Sequence, residues 1–181
     1  MSDDLPVFSF IYATRWALRF GPTISAIAAS AGGVVLNTMF RRHFFLRNLG
    51  WIATSLPNIA MPGMMALGAS MKVLDDVLLM DTHCVVCTQT QGVAWQLGVG
   101  VLYPCFIAPL SCLAIAVRCS TYPVPDWKTS YRHILADIHK VFQKNSRTMA
   151  GLAAFQCVVA FAIVHMQMRS VLKMHSKLAG V

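Results

Sequence analysis

The chain has 181 residues, of which 56% are apolar and only 12% charged, about half the charged share of a soluble globular domain. This composition excludes an ordinary soluble domain and predicts an all-α membrane protein. The seven acids are all aspartate and the formal net charge is +8, so no glutamate is available for acid–base catalysis or a metal site. The basic residues flank apolar runs, which indicates anionic lipid and not nucleic acid as the partner of this charge.

The chain begins with a short head, residues 1–19, whose acids precede its arginines. This order is unlike a secretory signal or a transit peptide, so we expect the head to be retained. Residues 20–40 form the first predicted transmembrane span, long enough to cross the hydrocarbon core. Within it, Ala29 and Gly33 have the small-xxx-small spacing that lets two helices approach closely, although small residues are also frequent in membrane helices without such a contact.

The second predicted span, residues 48–71, lacks charge but is interrupted by prolines and glycines. Proline removes a backbone donor and crowds the preceding turn, so this helix is predicted to be kinked and buried against other helices. Asn58 lies beside the first proline, either as a functional polar group or as a partner for backbone groups that the prolines release. The candidate packing residues of this span are Pro57, Pro62 and Gly63.

The loop between the second and third spans contains Cys84 and Cys87 in a Cys-x-x-Cys spacing. Such a pair can form a small structural disulfide, remain as two inert thiols, or take part in metal or redox chemistry. Asp81 and His83 could supply further ligands to a zinc ion. The sequence pattern lacks the thioredoxin-like βαβ context of redox pairs, so it favours the disulfide and leaves the other two open.

The third predicted span comprises residues 93–117, and Pro104 and Pro109 predict a kink in it. Tyr103 and Pro104 are its candidate packing residues. Three cysteines recur every seven residues on one face of this helix, where a thiol usually packs as a small apolar group. These cysteines are Cys105, Cys112 and Cys119.

The loop after the third span is the most basic part of the chain, and an amphipathic helix is predicted within it, starting near Asp126 or Thr129. This helix either lies in the headgroup plane against anionic lipid or docks on a partner protein. A fourth span, residues 148–168, and a basic tail, residues 169–181, follow. The apolar side of the loop helix contains Ile134, Leu135, Ile138, Val141 and Phe142. The candidate anionic-lipid contacts are Arg41 and Arg42 in the first loop and Lys140 and Lys144 on the loop helix.

Four spans place both termini on one side of the membrane. The first and third loops hold the larger share of the fifteen Lys and Arg residues, so the positive-inside rule assigns these loops to the cytosol or the mitochondrial matrix. The head, the tail and the loop with Cys84 and Cys87 then face the opposite compartment. The predicted organisation is therefore a head, a membrane domain over residues 20–168, and a tail.

No phosphate-binding loop, nucleophile elbow or His-Glu metalloprotease pattern occurs in the sequence. The four predicted spans also lack Asp, Lys and Arg, whereas transporters and channels normally carry ionisable residues inside the membrane. We therefore expect neither an enzyme nor a transporter. A membrane protein that binds or assembles other proteins, with no catalytic residues, cofactor or metal, fits the sequence better.

Several short motifs together resemble the transmembrane protein 126 family. They are Phe40-Arg-Arg42, Leu56-Pro57 followed by Pro62-Gly63, Cys84-x-x-Cys87-Thr88, Gly92, and Leu102-Tyr-Pro-x-Phe106. The resemblance covers residues 30–120, and beyond them only a basic loop and a final span. The chain departs from the family pattern in its short head and in Pro109-Leu-Ser-Cys112, which leaves the corresponding paralogue open.

The resemblance implies a four-span protein of the mitochondrial inner membrane that assists the assembly of respiratory complex I and is not an enzyme. One paralogue would act on the proximal membrane arm and the other on the distal arm. The implied partners are complex I membrane-arm subunits, other complex I assembly factors and inner-membrane lipid, including cardiolipin. With the charge distribution, both termini and the cysteine loop lie in the intermembrane space. The alternatives are a permanent accessory subunit of complex I, or a membrane redox or metal protein acting through Cys84 and Cys87.

Overall fold

A computed structural model describes residues 5–79, 84–121 and 127–178 of the chain. These residues form helices and contain no β-strand, which confirms the predicted all-α class. The α-helices are α1 (Leu5–His43), α2 (Trp51–Ser55), α3 (Met61–Leu78), α4 (Val85–Leu97), α5 (Tyr103–Arg118), α6 (Trp127–Lys144) and α7 (Ser146–Leu178). One π-helical turn, π1 (Leu56–Ala60), joins α2 to α3, and a second, π2 (Gly98–Leu102), joins α4 to α5.

Three helical segments in the described part of the chain are long and apolar enough to cross a membrane: Trp16–His43, Val85–Arg118 and Ser146–Met174. They contain the first, third and fourth predicted spans. The first continues the helix of the head, and the third starts at Val85, ahead of its predicted start. The uncharged Thr, Gln and Gly residues between Cys87 and Val93 are part of this helix and not of the preceding loop.

The second predicted span is helical over α2, π1 and α3 but is less apolar than the other three segments. Asn58 and two prolines lie within it, and charged residues occupy the last turns of α3. Its crossing of the membrane as a fourth span therefore remains a prediction. The same holds for the kinks in the second and third spans, where the structure has the two π-helical turns.

Each π-helical turn ends two residues before a proline. The N–H of Met61 donates to the carbonyl of Leu56, five residues earlier, and the N–H of Tyr103 donates to the carbonyl of Gly98. The residue that follows each donor is a proline, which has no N–H and interrupts the regular ladder of bonds between residues four apart. The wider turns thus occur where the α-helical hydrogen bonding is broken.

Helix α1 lies at the centre of the bundle, in contact with α3, α5 and α7. Near its C-terminal end, Leu36 and Phe40 belong to an apolar cluster that includes residues of α5, α6 and α7. Near the opposite end of the bundle, Val73 and Val77 of α3 pack with apolar residues of α7. Two separate apolar clusters therefore hold the two ends of the bundle. Helix α1 runs from one to the other, with Phe40 in the first cluster and Leu18 packed against the second.

Helix α6 packs on the bundle with part of its apolar side. Val141 is buried, and the rings of Phe142 and Phe40 meet edge to face with centroids 5.3 Å apart. Ile134 and Ile138 are half-buried, whereas Leu135 is 60% exposed. The predicted apolar side is thus divided between contact with α1 and the outer surface. The predicted start near Asp126 lies outside the described residues.

The Phe40→Ala substitution should lower the free energy of unfolding by about 3 kcal/mol, because it removes a fully buried ring and leaves a cavity. Phe106→Ala is the matched control at a 68% exposed position and should change it by less than about 1 kcal/mol. Titration with a denaturing detergent, followed by circular dichroism, measures both values. Equal losses in the two variants would contradict this difference in burial.

Candidate functional site

Helix α1 approaches other segments closely at Gly32 and Gly33. A Cβ at Gly33 would overlap the carbonyl oxygen of Asn58, and a Cβ at Gly32 would overlap the carbonyl oxygen of Gly100. Each of these carbonyls lies four residues before a proline, which cannot donate the usual helical hydrogen bond to it. Two adjacent glycines thus bring the backbone of α1 against two carbonyls that lack this donor, a geometry that favours Cα–H···O contacts.

The candidate packing residues lie at or near this level of the bundle. Ala29 is fully buried in a cluster with Ala66 of α3 and Val99 of π2. A Cβ at Gly63 would overlap the hydroxyl of Ser30, which itself donates a hydrogen bond to the carbonyl of Ile59 at 3.0 Å. Of the remaining candidates, Pro62 and Pro104 are buried, and Pro57 and Tyr103 are half-buried.

Two buried glutamines connect α1, α4 and α7. The Nε2 of Gln96 on α4 donates to the carbonyl of Ser25 at 3.0 Å and to the Oε1 of Gln156 at 2.8 Å. The Nε2 of Gln156 on α7 donates to the carbonyl of Ala28 at 2.8 Å. An amide inside an apolar bundle is costly unless it is hydrogen-bonded. These three hydrogen bonds therefore hold the three helices in one arrangement. Neither glutamine was predicted from the sequence, and an amide inside an apolar run is the signal that could have indicated them.

A second polar cluster, which we call the Asn58 cluster, joins α1, π1 and α5. The Nδ2 of Asn58 donates to the carbonyl of Thr54 and to the hydroxyl of Ser111, each at 2.8 Å. On α1, the Nδ2 of Asn37 donates to the hydroxyl of Ser55 at 3.4 Å. Asn58 is fully buried, and its Oδ1 has no hydrogen-bond partner among the described residues. Asn58 therefore binds the carbonyl one turn before it and also links π1 to α5.

Arg41, a candidate lipid contact, lies inside the protein at the end of α1 and is only 7% exposed. Its guanidinium donates to the hydroxyl of Thr54 at 2.7 Å, to the carbonyl of Leu49 at 3.2 Å and to the carbonyl of Arg47. All three acceptors are neutral oxygens. The loop between α1 and α2 folds around this cation, and Phe45 and Arg47 adopt positive φ angles within it.

Cys84 and Cys87 lie at the start of α4 as two exposed thiols. Cys84 is the N-cap residue, and its Sγ accepts a hydrogen bond from the backbone N–H of Cys87 at 3.4 Å. Hydrogen bonds from the side chain and then the backbone of Cys87 lower the pKa of the Cys84 thiol. A disulfide between the two cysteines remains a prediction.

The further zinc ligands considered above, Asp81 and His83, lie outside the described residues. Over residues 5–79, 84–121 and 127–178, no group of three or more His, Cys or Asp side chains could hold a metal ion.

Taken together, these features define a helical membrane protein whose buried polar groups connect its helices to one another. The family model of Transmembrane protein 126 matches residues 11–180, and the chain belongs to this family.

The chain is 30% identical over 121 residues to Transmembrane protein 126 of Drosophila melanogaster. It is 28% identical over 131 residues to Transmembrane protein 126A of Mus musculus. These matches cover 66% and 72% of this chain, but 54% of the fly protein and 66% of the mouse protein. The matched region thus spans about half to two thirds of these relatives. No solved structure matches the chain.

The Gly33→Ala substitution should destabilise the protein by about 1–3 kcal/mol, because the new methyl group would overlap a backbone carbonyl that cannot rotate away. Gly68→Ala is the matched control, since nothing lies within 4 Å of a Cβ at that helical position. It should stabilise the helix by about 0.5–1 kcal/mol. Unfolding in detergent measures the change in free energy of unfolding for both variants. Equal changes of the same sign would contradict the close approach at Gly33.

Alkylation of Cys84 by iodoacetamide, followed by mass spectrometry across a pH series, should have a lower pH midpoint in the reduced folded protein than in the denatured chain. The thiolate is the reactive form, so a lowered pKa moves the onset of reaction to lower pH. Cys87→Ala removes the largest cause of the lowered pKa and should move the Cys84 midpoint upward. A midpoint that stays constant in this variant would refute the assigned cause.

Proposed function

We propose that the chain is a four-span protein of the mitochondrial inner membrane that binds membrane-arm intermediates of respiratory complex I and stabilises them during assembly. Its action is binding and not catalysis. Membership of the transmembrane protein 126 family supports this role, together with the apolar surfaces on the outside of the bundle.

The observation that carries the binding role is an apolar ridge along π2 and α5. Leu102, Phe106 and Leu110 follow one another at intervals of four residues and are 58%, 68% and 58% exposed. Residues four apart lie on one face of a helix. Because α1 already occupies the inner side of α5, the ridge offers its large side chains to another helix in the bilayer.

A second exposed apolar surface lies on α3. Met61, Met64 and Met65 are 46%, 71% and 43% exposed. The unbranched methionine side chain adapts to partners of different shape and is frequent on surfaces that bind several proteins. Such a surface suits a factor that contacts more than one subunit of a growing complex.

The arrangement of the two ends of the bundle supports the proposed topology. Gly50 of the first loop lies against Ile115 near the end of α5, and Phe40 of α1 packs on Phe142 of α6. The first and third loops therefore lie at the same end, as the four-span topology requires. Their basic residues would face the matrix, and Cys84 would face the intermembrane space.

Affinity purification of a tagged chain from gently solubilised mitochondria tests the proposed function. Complex I membrane-arm subunits and other assembly factors should be recovered with it, in amounts well below those of mature complex I. A similarly tagged inner-membrane protein of another family is the control. Recovery at full stoichiometry in active complex I would instead identify a permanent accessory subunit, and absence of complex I subunits would refute both roles.

Alanine substitutions along the ridge test the surface itself. Replacing Phe106 and Leu110 together should lower recovery of the membrane-arm subunits several-fold without lowering the abundance of the chain, because both side chains are exposed. Replacing Leu36 and Phe40, which are buried, is the control for loss of folding and should lower abundance. Unchanged recovery with the ridge variant would count against binding through α5.

The capping position of Cys84, with a second exposed thiol one turn later, favours a redox protein as the second candidate. The double substitution Cys84→Ser and Cys87→Ser separates the two functions. Complex I assembly that continues with this variant would eliminate the redox role. Loss of assembly at normal abundance of the chain would count against a role in binding alone.

A further inference from the structure

Two adjoining grooves lie on either side of the C-terminal turns of α1. The first, between α1 and α6, has a volume of about 920 Å³, and the second, between α1 and the start of α2, has a volume of about 500 Å³. Val34, Thr38, Arg42 and Phe45 line both grooves. This stretch of α1 and the first residues after it thus form a partition between two open cavities.

The walls of the first groove change from apolar to cationic along α1. Val34 and Val35 line it along α1, Arg42 lines it from the last turn of α1, and Lys144 lines it from the last turn of α6. Val34 lies about two helical turns, or roughly 12 Å, from Arg42. An occupant that matches these walls has an anionic group at one end and a hydrocarbon chain at the other.

The second groove repeats this arrangement. Val34 and Ile59 are among its apolar residues, and Arg47 adds a second cation to the shared Arg42. Trp51 also lines this groove and is 59% exposed. Tryptophan is enriched where a membrane meets water. The candidate span within α1 ends at His43, and the candidate span within α7 begins at Ser146. The cationic ends of both grooves therefore lie at the depth of lipid headgroups.

The other two candidate lipid contacts already bind oxygens of the protein. The guanidinium of Arg41, which also lines the second groove, donates to three neutral oxygens. Lys140 forms an ion pair at 3.2 Å with Asp137, the carboxylate that lines the first groove. This ion pair offsets the negative charge that would otherwise oppose an anion.

We propose that the two grooves bind one anionic phospholipid with two phosphates and four acyl chains. One phosphate binds between Arg42 and Lys144 and the other between Arg42 and Arg47, with acyl chains along the apolar walls on both sides of α1. Phe45, which is 76% exposed and held at a φ of 53°, projects between the two halves of the lipid. This site goes beyond the proposed function and does not depend on any complex I partner.

Native mass spectrometry of the purified full chain in neutral detergent tests the site. Cardiolipin is the two-phosphate probe, phosphatidylglycerol the one-phosphate probe and phosphatidylcholine the zwitterionic probe. Cardiolipin should be retained most strongly, phosphatidylglycerol more weakly and phosphatidylcholine least, and inorganic phosphate should not displace cardiolipin. Equal retention of the three lipids, equal retention of the two anionic lipids, or displacement by inorganic phosphate would overturn the proposal.

Substitutions locate the lipid in the grooves. Lys144→Gln should lower retention of cardiolipin about fivefold. Lys72→Gln removes the same charge from an exposed position on α3, outside both grooves, and should change retention less than twofold. Arg47→Gln should lower retention of cardiolipin more than that of phosphatidylglycerol, because cardiolipin occupies both grooves at once whereas phosphatidylglycerol can still bind in the first. Equal effects of Lys144→Gln and Lys72→Gln on cardiolipin, or equal losses of the two anionic lipids with Arg47→Gln, would refute the two-groove site. Circular dichroism of each variant establishes that it is folded.

Discussion

The bundle depends on the close approach of α1 to two proline-containing segments. Gly32 and Gly33 lie against the carbonyls of Gly100 and Asn58, which the following prolines cannot bond. A carbonyl without its helical donor is poorly tolerated beside hydrocarbon, and contact with another helix is one way to shield it. Because any side chain at the two glycines would separate the helices, this contact sets the distance between α1 and both π-helical segments.

Around this contact, the specificity of packing comes from amides. In a bilayer, apolar surfaces gain little by exchanging lipid for protein, so shape and hydrogen bonds decide which helices associate. Gln96 and Gln156 bond to each other and to carbonyls of α1, and Asn58 connects π1 to α5. These neutral side chains orient the helices without placing a charge at the centre of the bundle.

The basic end of the bundle uses its charges in two ways. The guanidinium of Arg41 is directed inward and binds loop carbonyls, which fixes the turn between α1 and α2. Its neighbour Arg42 is exposed and lines both grooves. Two adjacent arginines thus differ in role because successive residues of a helix point in different directions. The inward arginine supports the backbone that holds the outward one at the surface of the protein.

The sequence by itself determined the all-α class, three of the helical segments and the family, because long uncharged runs and short motifs are local properties of the chain. It also predicted Gly33, Pro57, Pro62 and Pro104 as packing residues. Only the tertiary structure decided that the two glycines meet the two carbonyls, that Gln96 and Gln156 form a pair, and that Arg41 is internal while Arg42 is exposed. These facts depend on the relative rotation and depth of helices far apart in the chain, and hydropathy does not encode either quantity.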